Sequence, residues 1–333
     1  MSSQSEDESR TLCFPADRSL GTIFLLESDD DTSDWEKFGE ARGAISLPVG
    51  QAVKLVINPD AIQELSPLAN LQPDALDTLD LTDTGIEGDS LRHLAALTAL
   101  RALSLDGTSV TDDGLAYLRS LMLLQELDLS WTKITDAGLI HLRELCYLRR
   151  LNLMFLQGQI TGSGLIHISS LPLLEELNLG DTEVGDSSLA HVQALTSLRK
   201  LFLCDSFVTD DGLVHLQRLL ALEWLGLEAL PWLSGSGLAH LQDLTSLRFL
   251  SLGHTGVSDT ALGYLKGFKR LEFLALTSTR VSDVGLVHLE HLGSLRRLSL
   301  GETLVTDAGV AKLQRALPNC HIVRSEVRLV PGP

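Results

Sequence analysis

A leucine pattern recurs at intervals of about 24 residues through most of this 333-residue chain. Each copy reads Leu-x-x-Leu-x-Leu, then a turn that carries a hydroxyl residue in most copies, and several continue as Thr-Asp-x-Gly-Leu. The interval is 24 residues, except for 26 after Leu148 and 25 after Leu222. The ten copies begin at Leu76, Leu100, Leu124, Leu148, Leu174, Leu198, Leu222, Leu247, Leu271 and Leu295. Because one copy cannot bury its leucines alone, we expect the copies to stack on one another.

Each copy is predicted to form a short strand, a turn and a short helix. Leu103 and Leu105 alternate with period 2, which predicts a strand with both leucines on one face. Thr108 follows at the turn, where its hydroxyl can bind loop backbone. Thr111 is expected to cap a helix, with Asp112 in the first turn favoured by the helix dipole.

This pattern resembles the leucine-rich-repeat family over about residues 71–320. Its Ile-Thr-Asp-x-Gly-Leu segments resemble the cysteine-containing or GALA-like class of that family. The resemblance implies an α/β fold, a right-handed solenoid or horseshoe of about ten 24-residue repeats with strands on its concave face. We expect a disordered tail over 1–10, a β-rich capping unit over 11–70 and a final strand and tail over 321–333.

The capping unit is predicted from strand-like runs at 21–26, 44–47 and 52–57, with the acidic stretch 27–40 expected to be mobile. A cap is physically required because the end of a repeat stack exposes leucines and an open strand edge. A β unit followed by such repeats resembles bacterial leucine-rich-repeat proteins of unassigned role.

The charge and the cysteine content restrict the expected partners and the expected cellular location of the protein. The chain has 44 acidic and 26 basic residues, a net charge of −18, which argues against nucleic acid as a partner. No apolar run reaches the ~20 residues of a membrane helix, and the polar N-terminus does not resemble a signal peptide. The four widely spaced cysteines are interpreted as reduced thiols. We therefore expect a cytoplasmic protein that does not bind membranes.

The sequence predicts no catalytic residue, metal or cofactor. It carries no nucleophile elbow, phosphate-binding loop, dinucleotide fingerprint or HExxH motif. Cys204 could pair with His254 two repeats away, but a lone thiol in a repeat is ordinarily inert. The recurring aspartates follow a hydroxyl residue in a first helical turn and need no metal there.

Seven histidines occupy one repeat position: His93, His141, His167, His191, His215, His240 and His288. They could form a ladder that binds metal or senses pH. Alternatively, they are packing contacts inherited with the repeat. Tyr117 and Tyr264 occupy the same position, and tyrosine is a poor substitute for a zinc ligand, which favours packing.

A candidate binding surface follows from the strand positions expected to face outward. Three consecutive copies carry an aromatic residue just before the Leu-x-Leu, and the preceding copy carries one between its two leucines. Cations border this row, and exposed aromatics beside cations are typical of binding hot spots. The predicted partner-binding residues are Arg150, Lys200, Phe202, Trp224, Phe249, Phe273 and Arg297. Trp131, Phe155 and Trp232, just after their strands, are predicted as secondary binding loops or, alternatively, as locally repacked core.

The sequence therefore predicts a non-catalytic protein-interaction module that binds a protein or peptide on the concave face. The alternative is a substrate-recruiting adaptor of a ubiquitin-ligase-like or effector complex. That role needs a recruitment module, and residues 1–70 contain no recognisable one. The identity of the partner and the oligomeric state stay open.

Overall fold

The computed structural model describes residues 9–26, 34–60 and 65–324. The chain divides into two compact units, Met1–Asn152 and Leu153–Pro333. Each unit contains consecutive copies of the repeat, and each is described by itself below. The expected disordered tail over 1–10 lies mostly outside the described residues.

In the first unit, five strands precede the repeats and one strand belongs to each repeat. A two-stranded antiparallel sheet pairs β1 with β4. In the second sheet β3, β2 and β5 pair antiparallel, and β5 then pairs in parallel with β6, followed by β7, β8 and β9. The strands are β1 (Ser9–Cys13), β2 (Gly21–Leu26), β3 (Glu36–Glu40), β4 (Ala44–Pro48), β5 (Ala52–Ile57), β6 (Thr78–Asp80), β7 (Ala102–Ser104), β8 (Glu126–Asp128) and β9 (Arg150–Asn152).

The three strand-like runs expected in the capping unit are observed as β2, β4 and β5. Two expectations there are wrong. Ser9 and Arg10 belong to β1 rather than to a tail, and residues 36–40 of the supposedly mobile acidic stretch form β3. β3 is polar because it is an edge strand, with both of its glutamates exposed. Polarity of an edge strand therefore imitates the composition of a mobile loop.

In the second unit, seven parallel strands follow one another in chain order. Their register advances by one repeat per strand, so Leu201, Leu225 and Leu250 lie side by side. These leucines are fully buried, and each stabilises the stack by about 1.5–3 kcal/mol relative to an exposed side chain. The strands are β10 (Glu176–Asn178), β11 (Lys200–Phe202), β12 (Trp224–Gly226), β13 (Phe249–Ser251), β14 (Phe273–Ala275), β15 (Arg297–Ser299) and β16 (His321–Val323).

Short helices return the chain from one strand to the next. The α-helices are α1 (Asp112–Leu115), α2 (Asp186–Val192), α3 (Asp259–Leu262) and α4 (Asp307–Ala316). The 3₁₀ helices span Ser66–Asn70, Gly88–Leu94, Ala116–Ser120, Gly138–Leu142, Ser163–His167, Asp211–Leu216, Ser236–Leu241, Gly263–Gly267 and Gly285–Leu289. A 24-residue repeat leaves room for only one or two turns, which favours the tighter 3₁₀ geometry.

The turn after each repeat strand contains a residue with positive φ that the leucine pattern does not reveal. In one repeat it is Gly107, and in the other nine it is not glycine. The left-handed conformation costs a non-glycine residue roughly 1–2 kcal/mol, so stacking must impose it. The non-glycine residues are Asp83, Trp131, Phe155, Asp181, Asp205, Ala229, His254, Ser278 and Glu302.

The turn hydroxyls bind backbone as expected, but within their own repeats. Thr108 Oγ1 donates to the carbonyl of Leu105 at 2.7 Å, and the equivalent Thr or Ser side chains do the same. The expected helix cap at Thr111 is wrong, since its side chain makes no capping hydrogen bond. Thr306, before α4, does cap its helix by accepting from the Gly309 N–H.

Most of the recurring threonines and serines instead bind the preceding repeat. Asp112 accepts from the backbone N–H of Thr135 at 2.8 Å and from its hydroxyl at 2.6 Å. Asp186, Asp259 and Asp283 receive the same pair of bonds from the following repeat. The aspartates thus tie neighbouring repeats together.

The glycine of the repeat allows this approach. A Cβ added at Gly138 would lie 2.4 Å from Asp112 Oδ1 of the preceding repeat. A side chain there would displace the carboxylate that joins the two repeats.

The cysteines are all free: Cys13 and Cys146 are exposed, Cys204 is partly buried and Cys320 is buried. Among the described residues, no helix has the length and apolar character needed to cross a bilayer.

Candidate functional site: the strand face of the second unit

The side chains on either side of the buried central leucine of each strand project to one surface, which we call the strand face. In the second unit, the first strand position holds Lys200, Trp224, Phe249, Phe273 and Arg297 on adjacent strands. The third strand position holds Phe202 on β11 and then the small residues Gly226, Ser251, Ala275 and Ser299. Large and small side chains therefore lie in two adjacent columns.

The four aromatic side chains form a continuous row. The ring centroids of Phe202 and Trp224 are 5.9 Å apart. The Trp224 and Phe249 rings stack at 4.3 Å with an interplanar angle of 16°, and Phe249 and Phe273 follow at 6.3 Å. Offset-stacked and tilted arrangements at these distances are the favourable ones for aromatic pairs. The structure thus brings together the aromatic residues predicted from the strand positions.

The expectation that all four rings are exposed is wrong. Phe202 and Phe273 are each only 7% exposed, whereas Trp224 and Phe249 are partly exposed. Stacking covers the end rings, and Gly226 makes space for one of them: a Cβ there would lie 3.2 Å from Phe202 Cδ1. The accessible part of the row is therefore centred on Trp224 and Phe249.

The predicted cations differ in whether they form ion pairs. Lys200 lies 3.0 Å from Glu176 on the preceding strand. Arg150 lies in the first unit, where it pairs with Glu126. No described residue forms an ion pair with Arg297. Within the second unit, Arg297 is therefore the predicted cation that forms no ion pair with a described residue.

One cation that the sequence analysis did not single out contacts the row. The guanidinium carbon of Arg248 lies 5.7 Å from the centroid of the Phe249 ring. Its Nε donates to Glu272 at 2.8 Å, which raises the pKa of Arg248 and lowers that of Glu272. Since Arg248 immediately precedes Phe249, adjacency was the available signal.

The predicted loop residues lie in turns after their strands and not in the strands themselves. Trp232 is 67% exposed and Phe155 is partly buried, both in the second unit. Trp131, in the first unit, is 60% exposed. For the two tryptophans, the alternative of repacked core is wrong. Phe207, which was not predicted, is 53% exposed one repeat before Trp232.

The thiol near the row is unsuited to nucleophilic chemistry. Burial raises the pKa of Cys204 to about 11, so the thiol stays protonated near neutral pH. His254 is exposed on a turn. Cys204 is therefore an inert side chain beside Gly226.

The repeated histidines are five partly buried side chains and two exposed ones, His240 and His288. Nδ1 of His141 lies 2.8 Å from a guanidinium nitrogen of Arg119 in the preceding repeat. Burial and this cation lower the pKa of His141. Among the described residues, no group of three or more His, Cys, Asp or Glu side chains is placed to hold a metal ion. His141 contacts a neighbouring repeat, as the packing interpretation requires.

Comparisons with known proteins agree with this architecture. A family model described as a leucine-rich repeat matches residues 120–142. The structure is similar to an internalin, InlF, of Listeria monocytogenes, with a TM-score of 0.60, 23% identity and coverage of 80% of this chain and 78% of that one. It is also similar to a leucine-rich-repeat protein of Leptospira interrogans, with a TM-score of 0.50, 19% identity and coverage of 74% and 72%. No curated protein sequence matches the chain.

The fold is an α/β leucine-rich-repeat solenoid, and residues 120–142 match the family model of that repeat. These similarities establish the fold; the cysteine-containing or GALA-like subtype stays a prediction.

Proposed function

We propose that this protein is a non-catalytic interaction module that binds an extended segment of a partner protein on the strand face of the second unit. The single observation that supports this most is the aromatic row, in which Trp224 and Phe249 stack at 4.3 Å and keep part of their surface accessible. Aromatic side chains contribute large, rigid contact areas, and they dominate the energetics of protein interfaces.

The shape of the surface favours a polypeptide over a small metabolite. The aromatic row and its cations extend over strands β11 to β15. Adjacent strands in a sheet lie about 4.8 Å apart. A small molecule typically binds in a concave pocket that covers most of its surface, whereas a row of this kind offers one side of contact.

A non-catalytic role is supported by the chemistry of the surface. Its one thiol, Cys204, has a raised pKa, and the sequence carries no catalytic motif. The adaptor role remains the alternative, but none of the described features favours it.

The test uses a displayed library of random peptides of about twelve residues, long enough to span about 40 Å when extended. We expect the wild-type protein to enrich a sequence motif. The double variant Trp224→Ala, Phe249→Ala should fail to enrich it while keeping the wild-type circular dichroism spectrum.

The matched control is Phe207→Ala, Trp232→Ala, which removes two more exposed aromatics of the same unit away from the strand face. This control should select the same motif as the wild-type protein. If the wild type enriches no motif, or if the control loses it while the strand-face variant keeps it, the proposed function is wrong.

A further inference from the structure

The end of the aromatic row differs from the rest of the strand face in its polar groups. Arg297 occupies the first position of β15, next to Phe273 on β14 and to exposed His321 on β16. Lys54 and Lys200, at the same strand position elsewhere, each lie within 3.3 Å of a carboxylate. Neither neighbour of Arg297 carries a carboxylate. The sequence therefore places a cation here without the counter-ion that it supplies elsewhere.

Two unpaired polar atoms lie on the strand that carries this arginine. Among the described residues, four buried side-chain nitrogen or oxygen atoms have no hydrogen-bond partner, and two of them, Arg297 Nε and Ser299 Oγ, are on β15. Ser299 is 1% exposed. Buried polar atoms in folded proteins are nearly always hydrogen-bonded, so two unpaired atoms on one strand require an explanation. A bound ligand that accepts hydrogen bonds supplies one.

The charge of the neighbourhood sets the sign of that ligand. Arg296 is exposed beside Arg297, and Cys320 stands in the next repeat at the position where Glu223 and Glu272 pair with the preceding arginines Arg199 and Arg248. Glu272 interacts with Arg296 at longer range, but its hydrogen bond goes to Arg248. Two arginines thus lie together at this end of a chain whose net charge is −18. Arginine binds carboxylates through paired hydrogen bonds, and hydroxyl groups can donate to the remaining lone pairs.

We propose that the Arg297 end of the strand face binds the side-chain carboxylate of an Asp or Glu in the partner segment, beside an apolar or aromatic residue that packs on Trp224 and Phe249. This proposal rests on the proposed function and names the chemistry of its partner. A side chain, rather than a chain terminus, fits because the surface continues past Arg297 to β16. The bound segment can therefore run on beyond the guanidinium.

The test repeats the peptide selection with peptides that have no free C-terminus, using wild type and Arg297→Glu. The wild-type motif should contain Asp or Glu at a fixed spacing from an aromatic or large aliphatic residue. Arg297→Glu should select Lys or Arg at that same position, because the charge requirement is reversed. Arg280→Glu, an equal charge change at an exposed residue off the strand face, should select the wild-type motif.

A second measurement compares synthetic peptides of the selected sequence, amidated at the C-terminus, that carry Glu or Gln at the acidic position. For the wild-type protein the Gln peptide should bind about 10-fold more weakly, the loss of one charge-assisted hydrogen-bonded pair. For Arg297→Gln the two peptides should differ by less than about 2-fold.

The two proposals fail separately. A motif that depends on Trp224 and Phe249, but lacks an acidic position or is unchanged in Arg297→Glu, overturns the carboxylate site alone. Binding that needs a free C-terminus also overturns it. Loss of the motif's dependence on Trp224 and Phe249 overturns the proposed function.

Discussion

Asp210 is the side chain with the most complete set of contacts between repeats. Its carboxylate accepts from the backbone N–H groups of Ser234, Gly235 and Gly237 at 2.7–2.9 Å and from the Ser234 hydroxyl at 2.6 Å. Burial opposes its ionisation, but these hydrogen bonds outweigh burial, and the pKa of Asp210 is lowered. One carboxylate therefore holds the start of the following helix, Ser236–Leu241.

Asp210→Asn is predicted to destabilise the protein, because the amide cannot accept all four bonds. We expect a loss of about 1 kcal/mol, at the low end for charged hydrogen bonds since the carboxylate is only partly buried. A lowered pKa makes the contribution of Asp210 complete above the ordinary carboxyl pKa of about 3.9, and it is lost as the pH falls through the lowered value. Urea unfolding of both proteins should therefore show a difference at about pH 7 that shrinks towards about pH 3.

The control for this prediction is Asp211→Asn, which changes the exposed neighbouring aspartate. It should leave the unfolding midpoint unchanged. A gap between Asp210→Asn and wild type that stays constant with pH would contradict the hydrogen-bonding role of the carboxylate.

Individual residues also show which features the sequence does not predict. The alternation of Leu-x-Leu predicts that Phe202 and Phe273 face outward, and they do. It does not predict that they are buried, because the cover comes from rings 22–24 residues away in other repeats. Gly226 beside Phe202 was the available signal, since a glycine in a strand marks a close approach. Likewise, the carboxylate of Asp112 accepts a hydrogen bond from Thr135. Because Thr135 belongs to the following repeat, the sequence of one repeat does not predict this bond.

At the scale of elements, the repeat period predicts the strands better than the turns. In every predicted repeat, the strand begins two residues after the first leucine of the pattern. The left-handed turn residue escapes prediction because aspartate, tryptophan, phenylalanine and alanine all occupy it. Stacking, not local preference, selects that conformation.

The turn at Ala229 offers a direct test of this strain. Ala229 has φ of 56°, so Ala229→Gly should stabilise the protein by up to about 1 kcal/mol through relief of the left-handed conformation. Ala239→Gly, in the 3₁₀ helix Ser236–Leu241, removes the same methyl group from right-handed backbone and should destabilise by about 0.5–1 kcal/mol. Urea unfolding monitored by circular dichroism measures both. Two shifts of the same sign would mean that the turn stores no strain.

For the second unit as a whole, stability should be local, because each strand pairs only with the strands before and after it. Leu225 and Leu298 are both fully buried, on β12 and β15. Replacing either with alanine should cost about 2–5 kcal/mol. Hydrogen exchange should then accelerate around β11–β13 in Leu225→Ala and around β14–β16 in Leu298→Ala. An identical exchange pattern in the two variants would show that the unit unfolds as one cooperative block.

The net charge of the chain opposes the binding of an acidic peptide, whereas Arg297 favours it. A net charge of −18 repels an acidic peptide at long range, whereas the carboxylate–guanidinium pair acts at contact. Salt shortens the screening length from about 20 Å at 0.02 M to about 7 Å at 0.2 M, which weakens the repulsion more than the contact pair. The association rate of the Glu peptide should therefore rise with salt, and that of the matched Gln peptide should rise less, as stopped-flow fluorescence can measure. A rate that falls with salt for the Glu peptide would mean that the local field of the arginines, rather than the charge of the chain, governs the encounter.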